Sequence, residues 1–270
     1  MVIITNMSLN YEVISFKLKK IVIIGVTKLE EIFKHSEPLD AHKTTVLFLP
    51  GNMCAPDVFS KIELPSGVQA STIDWANSSG PWDIKSLGKR INRFIQIQNL
   101  GDTYLAGYSA GGAMALSSAT ENDTRVKGLL ISNTGANTKN HGDPYFPQKI
   151  KREWGTELFI ESFLSRCFAR PIDKQLKLDL ISYIDHVNVN AVLEAAVSIR
   201  ELDLKPLLSK IKCKTIIAHG VDDTSRNVGH AKELQENIGG AKLTLLKGGH
   251  TIMVENREEW QKELWELIQG

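Results

Sequence analysis

The sequence predicts an α/β fold: a mainly parallel central sheet flanked by helices, with a helical segment inserted into it. Three observations carry that expectation. Short apolar runs, each closed by a turn residue, recur along the chain, as strands buried on both faces of a parallel sheet do. Helical patterns fill the intervals between runs, as crossover connections require. One interval, residues 134–204, holds helical patterns only, and it is far longer than the roughly dozen residues a crossover needs.

In chain order, "EVISFKLKKIVIIGV" (residues 12–26) reads as an antiparallel start to the sheet. Parallel strands follow as "TTVLFLPG" (Thr44–Gly51), "VQASTIDW" (Val68–Trp75), "TYLAGYS" (Thr103–Ser109) and "VKGLLISN" (Val126–Asn133). Beyond the helical interval come "KTIIAHG" (Lys214–Gly220) and "KLTLLKG" (Lys242–Gly248). Leu87, Ile91, Phe94 and Ile95 recur at i, i+4, i+7 and i+8, one apolar stripe of a helix. Trp260, Leu264, Leu267 and Ile268 repeat that stripe near the C-terminus, and "NVGHAKELQENIGG" is a further helix with Gly239 and Gly240 placed to cap it. Inside the long interval, "KIKREWGTELFIESFLSRCFARP" is helical until Pro171 stops it. The expected organisation is a core domain built from residues 1–133 and 205–270, with residues 134–204 as an inserted helical lid. A lid implies a covered pocket.

Composition narrows the partners. The 270 residues carry 32 basic and 31 acidic side chains, a net charge of +1. So balanced a surface draws neither nucleic acid nor an anionic membrane. The three cysteines, Cys54, Cys167 and Cys213, form no CxxC pair; they read as reduced thiols of a cytoplasmic protein, not as a disulfide frame or a metal site. The first residues lack the basic and apolar regions of a signal peptide, and no apolar window is long enough to span a membrane. Nothing calls for a cofactor, and oligomeric state leaves no signature.

The chemistry centres on "TYLAGYSAGGAMAL" (Thr103–Leu116), where Gly107, Ser109 and Gly111 spell G-x-S-x-G. The serine follows a strand pattern and opens a helix of small residues, the context of a nucleophile elbow. A hydroxyl is a weak nucleophile until a base takes its proton. Of seven histidines, His250 stands in a glycine-rich loop directly after the last strand and is the candidate base. His35, His42, His141 and His186 lie in polar or inserted segments and read as solvated; His219 reads as structural and His230 as a helix-flank residue. The imidazole needs a carboxylate to hold its tautomer, and "HGVDD" offers Asp222 and Asp223. Neighbouring side chains on extended backbone point to opposite sides, so only one of the two can face His250.

Serine, aspartate and histidine in that order, each at a strand end, resemble the α/β-hydrolase superfamily in its lidded branch of small esterases, enol-lactonases, carbon–carbon hydrolases and hormone receptors. The resemblance covers nearly the whole chain. "LFLPGNM" is similar to the family's H-G-x loop with Pro50 in place of the histidine; "LDLKPLLSKIKCKTIIAHGVDD" resembles its return from lid to sheet, and "GGHTIMVENREEW" its histidine loop and final helix. "DWANSSGPW" departs from the family's Arg-Gly-rich turn. The resemblance implies an α/β-hydrolase fold and Asp223, third after Gly220, as the triad acid. It also implies the backbone N–H groups of Asn52 and Ala110 as the oxyanion hole.

The expected activity is a serine hydrolase that cleaves a small ester, lactone or thioester, a small-molecule substrate with an acyl carbonyl, through an acyl-enzyme. The alternatives are carbon–carbon bond hydrolysis on the same triad and a slow-turnover sensor or partner-binding protein. Tyr145, Phe146, Trp154, Phe159, Phe163 and Phe168 offer an aromatic inner wall for the lid. Trp154 and Phe163, with Met53 and Met253, are the pocket-lining candidates. Cys54 reads as a packing residue, having no basic neighbour.

Overall fold

A computed structural model describes residues 33–34, 39–139 and 141–270. The antiparallel opening expected at residues 12–26 lies outside them, as does His35. The described strands are β1 (Phe33–Lys34), β2 (Thr44–Leu49), β3 (Val68–Ile73), β4 (Thr103–Tyr108), β5 (Val126–Ser132), β6 (Lys214–Gly220) and β7 (Lys242–Leu246). They form one sheet in the order β1-β3-β2-β4-β5-β6-β7. Only β1 runs antiparallel, along the outer edge of β3; every other neighbouring pair is parallel. The architecture is the predicted α/β one. Each of the six later apolar runs becomes a strand, and its closing turn residues fall in the loop beyond, except Gly220, which ends β6.

The helices are α1 (Ile84–Ile97), α2 (Ala110–Ala119), α3 (Phe146–Glu153), α4 (Glu157–Cys167), α5 (Lys174–His186), α6 (Val189–Glu201), α7 (Val228–Asn237), α8 (Ile252–Glu255) and α9 (Arg257–Gln269). The stripe of Leu87, Ile91, Phe94 and Ile95 is buried, and α1 packs on α2. The Asp83 side chain caps α1 by accepting from Ser86 N at 3.0 Å. At the C-terminus Trp260, Leu264 and Leu267 are buried, and α9 lies against β5 and β6. Trp260 Nε1 donates to Ser132 Oγ at 2.8 Å, satisfying the indole where it leaves water.

The strand order places the switch point beside β2. The chain leaves β2 for β3 on one side, then crosses to β4 on the other. Open α/β sheets bind ligands in the crevice at such a point, beyond the strands' carboxyl ends. The loops that follow β2 and β4 flank this one. They carry Asn52 and Ser109.

Four helices, α3 to α6, fill the interval between β5 and β6. Its two ends meet where Leu204 N donates to Ala136 O at 2.8 Å and Asn137 bridges Asp203. Further bonds tie it across the crevice. Asn52 Nδ2 donates to Val192 O at 3.0 Å, Tyr183 Oη to Asp74 Oδ1 at 2.8 Å, and Ile84 N to Ser198 Oγ at 2.9 Å. Among the described residues, no helix is long and apolar enough to cross a membrane.

Candidate active site

Ser109 stands between β4 and α2 at φ 54°, ψ −122°, a backbone conformation that a serine adopts only under constraint, at about 1–3 kcal/mol. The neighbours supply the constraint. Ser109 N donates to Ser132 O at 3.0 Å and Ala113 N to Ser109 O at 3.1 Å, while Thr134 Oγ1 donates to Ser109 O at 2.7 Å. The glycines of the motif have steric reasons. A Cβ on Gly107 would lie 2.5 Å from Gly111 O, and one on Gly111 would collide with the Leu49 carbonyl. Helix α2 can therefore start against β2 and β4 only because both positions lack a side chain. Ala110 is the first residue of α2, so its N–H belongs to the helix's unpaired first turn.

His250 and Asp223 meet. His250 Nδ1 lies 2.8 Å from Asp223 Oδ2, with the Asp223 side chain fully buried and that of His250 10% exposed. Three further donors serve the same carboxylate: Asn133 Nδ2 to Oδ2 at 2.7 Å, Ser225 N to Oδ1 at 2.7 Å and Arg226 N to Oδ1 at 2.9 Å. Burial alone would raise the Asp223 pKa. The charge and hydrogen bond of His250, with the Asn133 and Arg226 donors, outweigh burial and hold it below the ordinary carboxylate value. Asp222 is exposed. Tyr108 packs edge-on against the His250 ring at 6.0 Å, and Thr251 N donates to Cys167 O at 3.0 Å, which fixes the histidine loop to the end of α4.

Asn133 is a site residue that sequence reasoning missed. It sits just beyond β5 at φ 49°, a conformation asparagine tolerates better than most residues. Besides Asp223 it reaches Gly249 O at 3.2 Å, so it ties the aspartate loop to the histidine loop. An asparagine at a strand end carries no signal that distinguishes this role from an ordinary turn.

Ser109 and His250 line one cavity of about 450 Å³, together with Asn52, Phe146, Phe163 and residues of the 141–143 segment. No hydrogen bond joins Ser109 Oγ to His250 among the described residues, a contact that commonly tightens only with substrate in place. Of the four pocket candidates only Phe163 lines this cavity. Trp154 packs on Phe159 with ring centroids 5.9 Å apart, and Met53 is buried in the core. Met253 faces a different depression of about 720 Å³, which contains neither Ser109 nor His250. Tyr145, expected on the inner wall, is 66% exposed, because it stands at the start of α3 and points away from the packing.

His141 corrects an expectation. It lines the cavity instead of standing in solvent, and its ring meets His230 edge-on at 4.9 Å. Burial, and then the positive charge of Arg226, push its pKa down to about 3. His230 is buried as well, whereas His42 and His186 are exposed and His219 is buried in a structural contact with Arg226 O at 3.1 Å. Burial pushes the Cys54 thiol up to about 12, consistent with a packing residue. Among the described residues, no group of histidine, cysteine and acidic side chains is arranged to hold a metal ion.

Comparison with known proteins bears on the fold. No family model matches the chain. It is 25% identical over 199 residues to the AB hydrolase superfamily protein YisY of Bacillus subtilis, covering 68% of this chain and 74% of that protein. It is 24% identical over 235 residues to the pimeloyl-[acyl-carrier protein] methyl ester esterase of Nitrosomonas europaea, covering 69% and 89%. Among solved structures, an esterase from Exiguobacterium antarcticum superposes with a TM-score of 0.76 at 21% identity, covering 86% of this chain and 94% of its own. The enol-lactonase from Burkholderia xenovorans gives 0.76 at 17% identity, covering 88% and 95%.

Proposed function

We propose that the chain is a serine hydrolase of the α/β-hydrolase type, similar to the relatives above, that cleaves a small carboxylic ester, lactone or thioester. The observation that carries this reading is the buried 2.8 Å contact between His250 Nδ1 and Asp223 Oδ2, beside a cavity that Ser109 also lines.

With Nδ1 donating to Asp223, the lone pair of His250 Nε2 is the one available to a substrate-side proton. Ser109 Oγ attacks the carbonyl carbon while His250 Nε2 takes its proton, and Asp223 stabilises the imidazolium without being protonated. The carbonyl oxygen becomes an oxyanion. The backbone N–H groups of Asn52 and Ala110 receive it, each contributing about 3–4 kcal/mol to the transition state. The intermediate collapses, the C–O or C–S bond to the leaving group breaks, and His250 Nε2 returns the proton to that group. Water then gives a proton to His250 Nε2 and attacks the acyl carbon; the bond from that carbon to Ser109 Oγ breaks, His250 returns the proton to Oγ, and the acid leaves.

In this reading residues 134–204 act as the cap over the crevice, on a core of residues 1–133 and 205–270. Phe146 and Phe163 from α3 and α4 give the cavity part of its apolar wall, which suits a compact acyl group. Three free cysteines suit a cytoplasmic setting. Labelling with a fluorophosphonate tests the assignment. Wild type becomes covalently modified at Ser109, Ser109→Ala does not, and kcat on 4-nitrophenyl acetate falls by about 10⁴ to 10⁶. Labelling that survives the substitution refutes it.

A further inference from the structure

The cavity beside Ser109 is strongly positive. Lys149, Arg166, Arg200 and Arg226 line it against a single carboxylate, Asp143. Lys149 already pairs with Asp143 at 2.9 Å. Among the described residues no ion pair reaches Arg166, Arg200 or Arg226. The chain as a whole carries a net charge of only +1, so the excess is local to the cavity.

Building on the hydrolase reading, we propose that the substrate carries an anionic oxyacid group, a carboxylate or a phosphate, which the guanidiniums of Arg166, Arg200 and Arg226 hold in the cavity beside Ser109.

Arg226 makes the strongest case. It is 8% exposed; its Nη1 donates to Asn137 O at 2.6 Å and faces His230 Nδ1 at 3.4 Å. The edge formed by Nε and Nη2 donates to no described group. That edge presents two parallel N–H groups, the geometry that takes a carboxylate or phosphate bidentately. A guanidinium withdrawn from water is costly: burial, and then the neighbouring Arg200 charge, pull the Arg226 pKa down to about 10 against the opposing charge of Asp223, which forms no direct ion pair with it.

Arg200 donates through Nη1 to His141 O at 2.7 Å and through Nη2 to Asp143 O. Both acceptors are neutral carbonyls; they orient the guanidinium, and the Asp143 carboxylate, already paired with Lys149, acts on its charge without a direct ion pair. Arg166 donates Nε to Ser162 O at 3.1 Å and lies 5.0 Å over the Phe146 ring, leaving both Nη groups unengaged. The three arginines come from α4, α6 and the loop after β6, yet they share one cavity. His141 lies among them and is held neutral: burial dominates, and the Arg226 charge adds to it. An imidazole that stays uncharged in the middle of the cluster avoids adding to a field already positive.

A purely structural role is the competing account. Arg200 and Arg226 would clamp the segment carrying Asn137, His141 and Asp143 through its carbonyls, and their loss would impair all substrates alike. The test therefore reads a ratio within each protein. The mono-4-nitrophenyl ester of adipic acid carries a terminal carboxylate. The 4-nitrophenyl ester of its monoamide is its neutral counterpart of the same length and shape. Wild type should favour the carboxylate by about tenfold or more in kcat/KM, the worth of a charge-assisted contact. High salt should reduce that preference. Arg200→Gln and Arg226→Gln should each bring the ratio several-fold toward one. Arg226 is buried close to Asp223, so Arg166→Gln, at a half-buried side chain, provides the variant that keeps the fold. Competitive inhibition by adipate without inhibition by inorganic phosphate assigns a carboxylate substrate, and the reverse assigns a phosphorylated one.

A wild-type ratio within twofold of one overturns the anionic class while leaving the hydrolase reading intact. So does turnover of neither ester by protein that still labels at Ser109. An arginine substitution that slows both esters equally and leaves the ratio unchanged assigns the clamp instead. Absence of both labelling and turnover overturns the two readings together.

Discussion

Replacing Asp223 by asparagine should disable the site through a change of tautomer, and the structure shows why the amide cannot avoid it. Each carboxylate oxygen now faces two donors. Oδ1 accepts from Ser225 N at 2.7 Å and Arg226 N at 2.9 Å; Oδ2 accepts from Asn133 Nδ2 at 2.7 Å and faces His250 Nδ1 at 2.8 Å. An amide offers one oxygen and one NH₂. The backbone N–H groups cannot turn away, so the amide oxygen must take the Oδ1 position and the NH₂ the Oδ2 position. The Asn133 amide can flip to meet it, since its Oδ1 is buried without a partner, at the loss of its Nδ2 bond to Gly249 O. The His250 ring can only answer by accepting at Nδ1 and carrying its proton on Nε2. Nε2 is the atom proposed to take the proton of Ser109, and a protonated nitrogen cannot.

The expected loss is about 10⁴ in kcat, as for the equivalent change in a serine protease triad, or about 5.5 kcal/mol of barrier. Asp222→Asn, at an exposed position, should cost less than about tenfold. Steady-state hydrolysis of 4-nitrophenyl acetate measures both, with near-ultraviolet circular dichroism confirming that each variant is folded. A folded Asp223→Asn protein that keeps more than a tenth of wild-type kcat refutes the reasoning. A larger loss from Asp222→Asn refutes it too.

The Asp223 pKa is depressed on folding, so its ionised form adds stability above the unfolded value of about 4, lost as pH falls through the folded pKa; the Tm gap between wild type and Asp223→Asn should close below about pH 4, and a gap that widens in acid contradicts the sign. Gly111→Ala should lower Tm by about 3–12 °C, because a methyl there meets the Leu49 backbone and overpacking against a main chain costs about 1–3 kcal/mol; an unchanged Tm would mean that α2 shifts freely. Phe163→Ala should move the chain-length preference across an acyl-ester series, whereas Trp154→Ala should not, since only Phe163 lines the cavity; equal profiles for both variants and wild type would place the acyl chain elsewhere.

The sheet and the strand–serine–helix turn were readable from the sequence, because both rest on short-range physics. A strand buried on both faces must be apolar along its length, so Val46–Leu49 or Leu129–Ile131 announces itself without reference to any partner. The G-x-S-x-G turn is equally local: Gly107, Ser109 and Gly111 meet one another and the adjoining strand ends. The place of His250 just beyond β7 was legible because a glycine-rich loop after a final strand is itself a sequence feature. Other properties depended on where distant segments come to rest. Trp154 and Phe163 look alike in sequence, yet one packs on Phe159 and the other faces the cavity, and that difference lies in how α3 and α4 turn against each other. His141 read as solvated because its polar neighbours in sequence say nothing of His230, which arrives from α7. Asn133 holds Asp223 across the ends of neighbouring strands, a pairing set by sheet order. The cationic wall was the least legible of all. Arg166, Arg200 and Arg226 are scattered through a chain whose charges nearly cancel, and only the packing of α4, α6 and the loop after β6 concentrates three of them around one small volume.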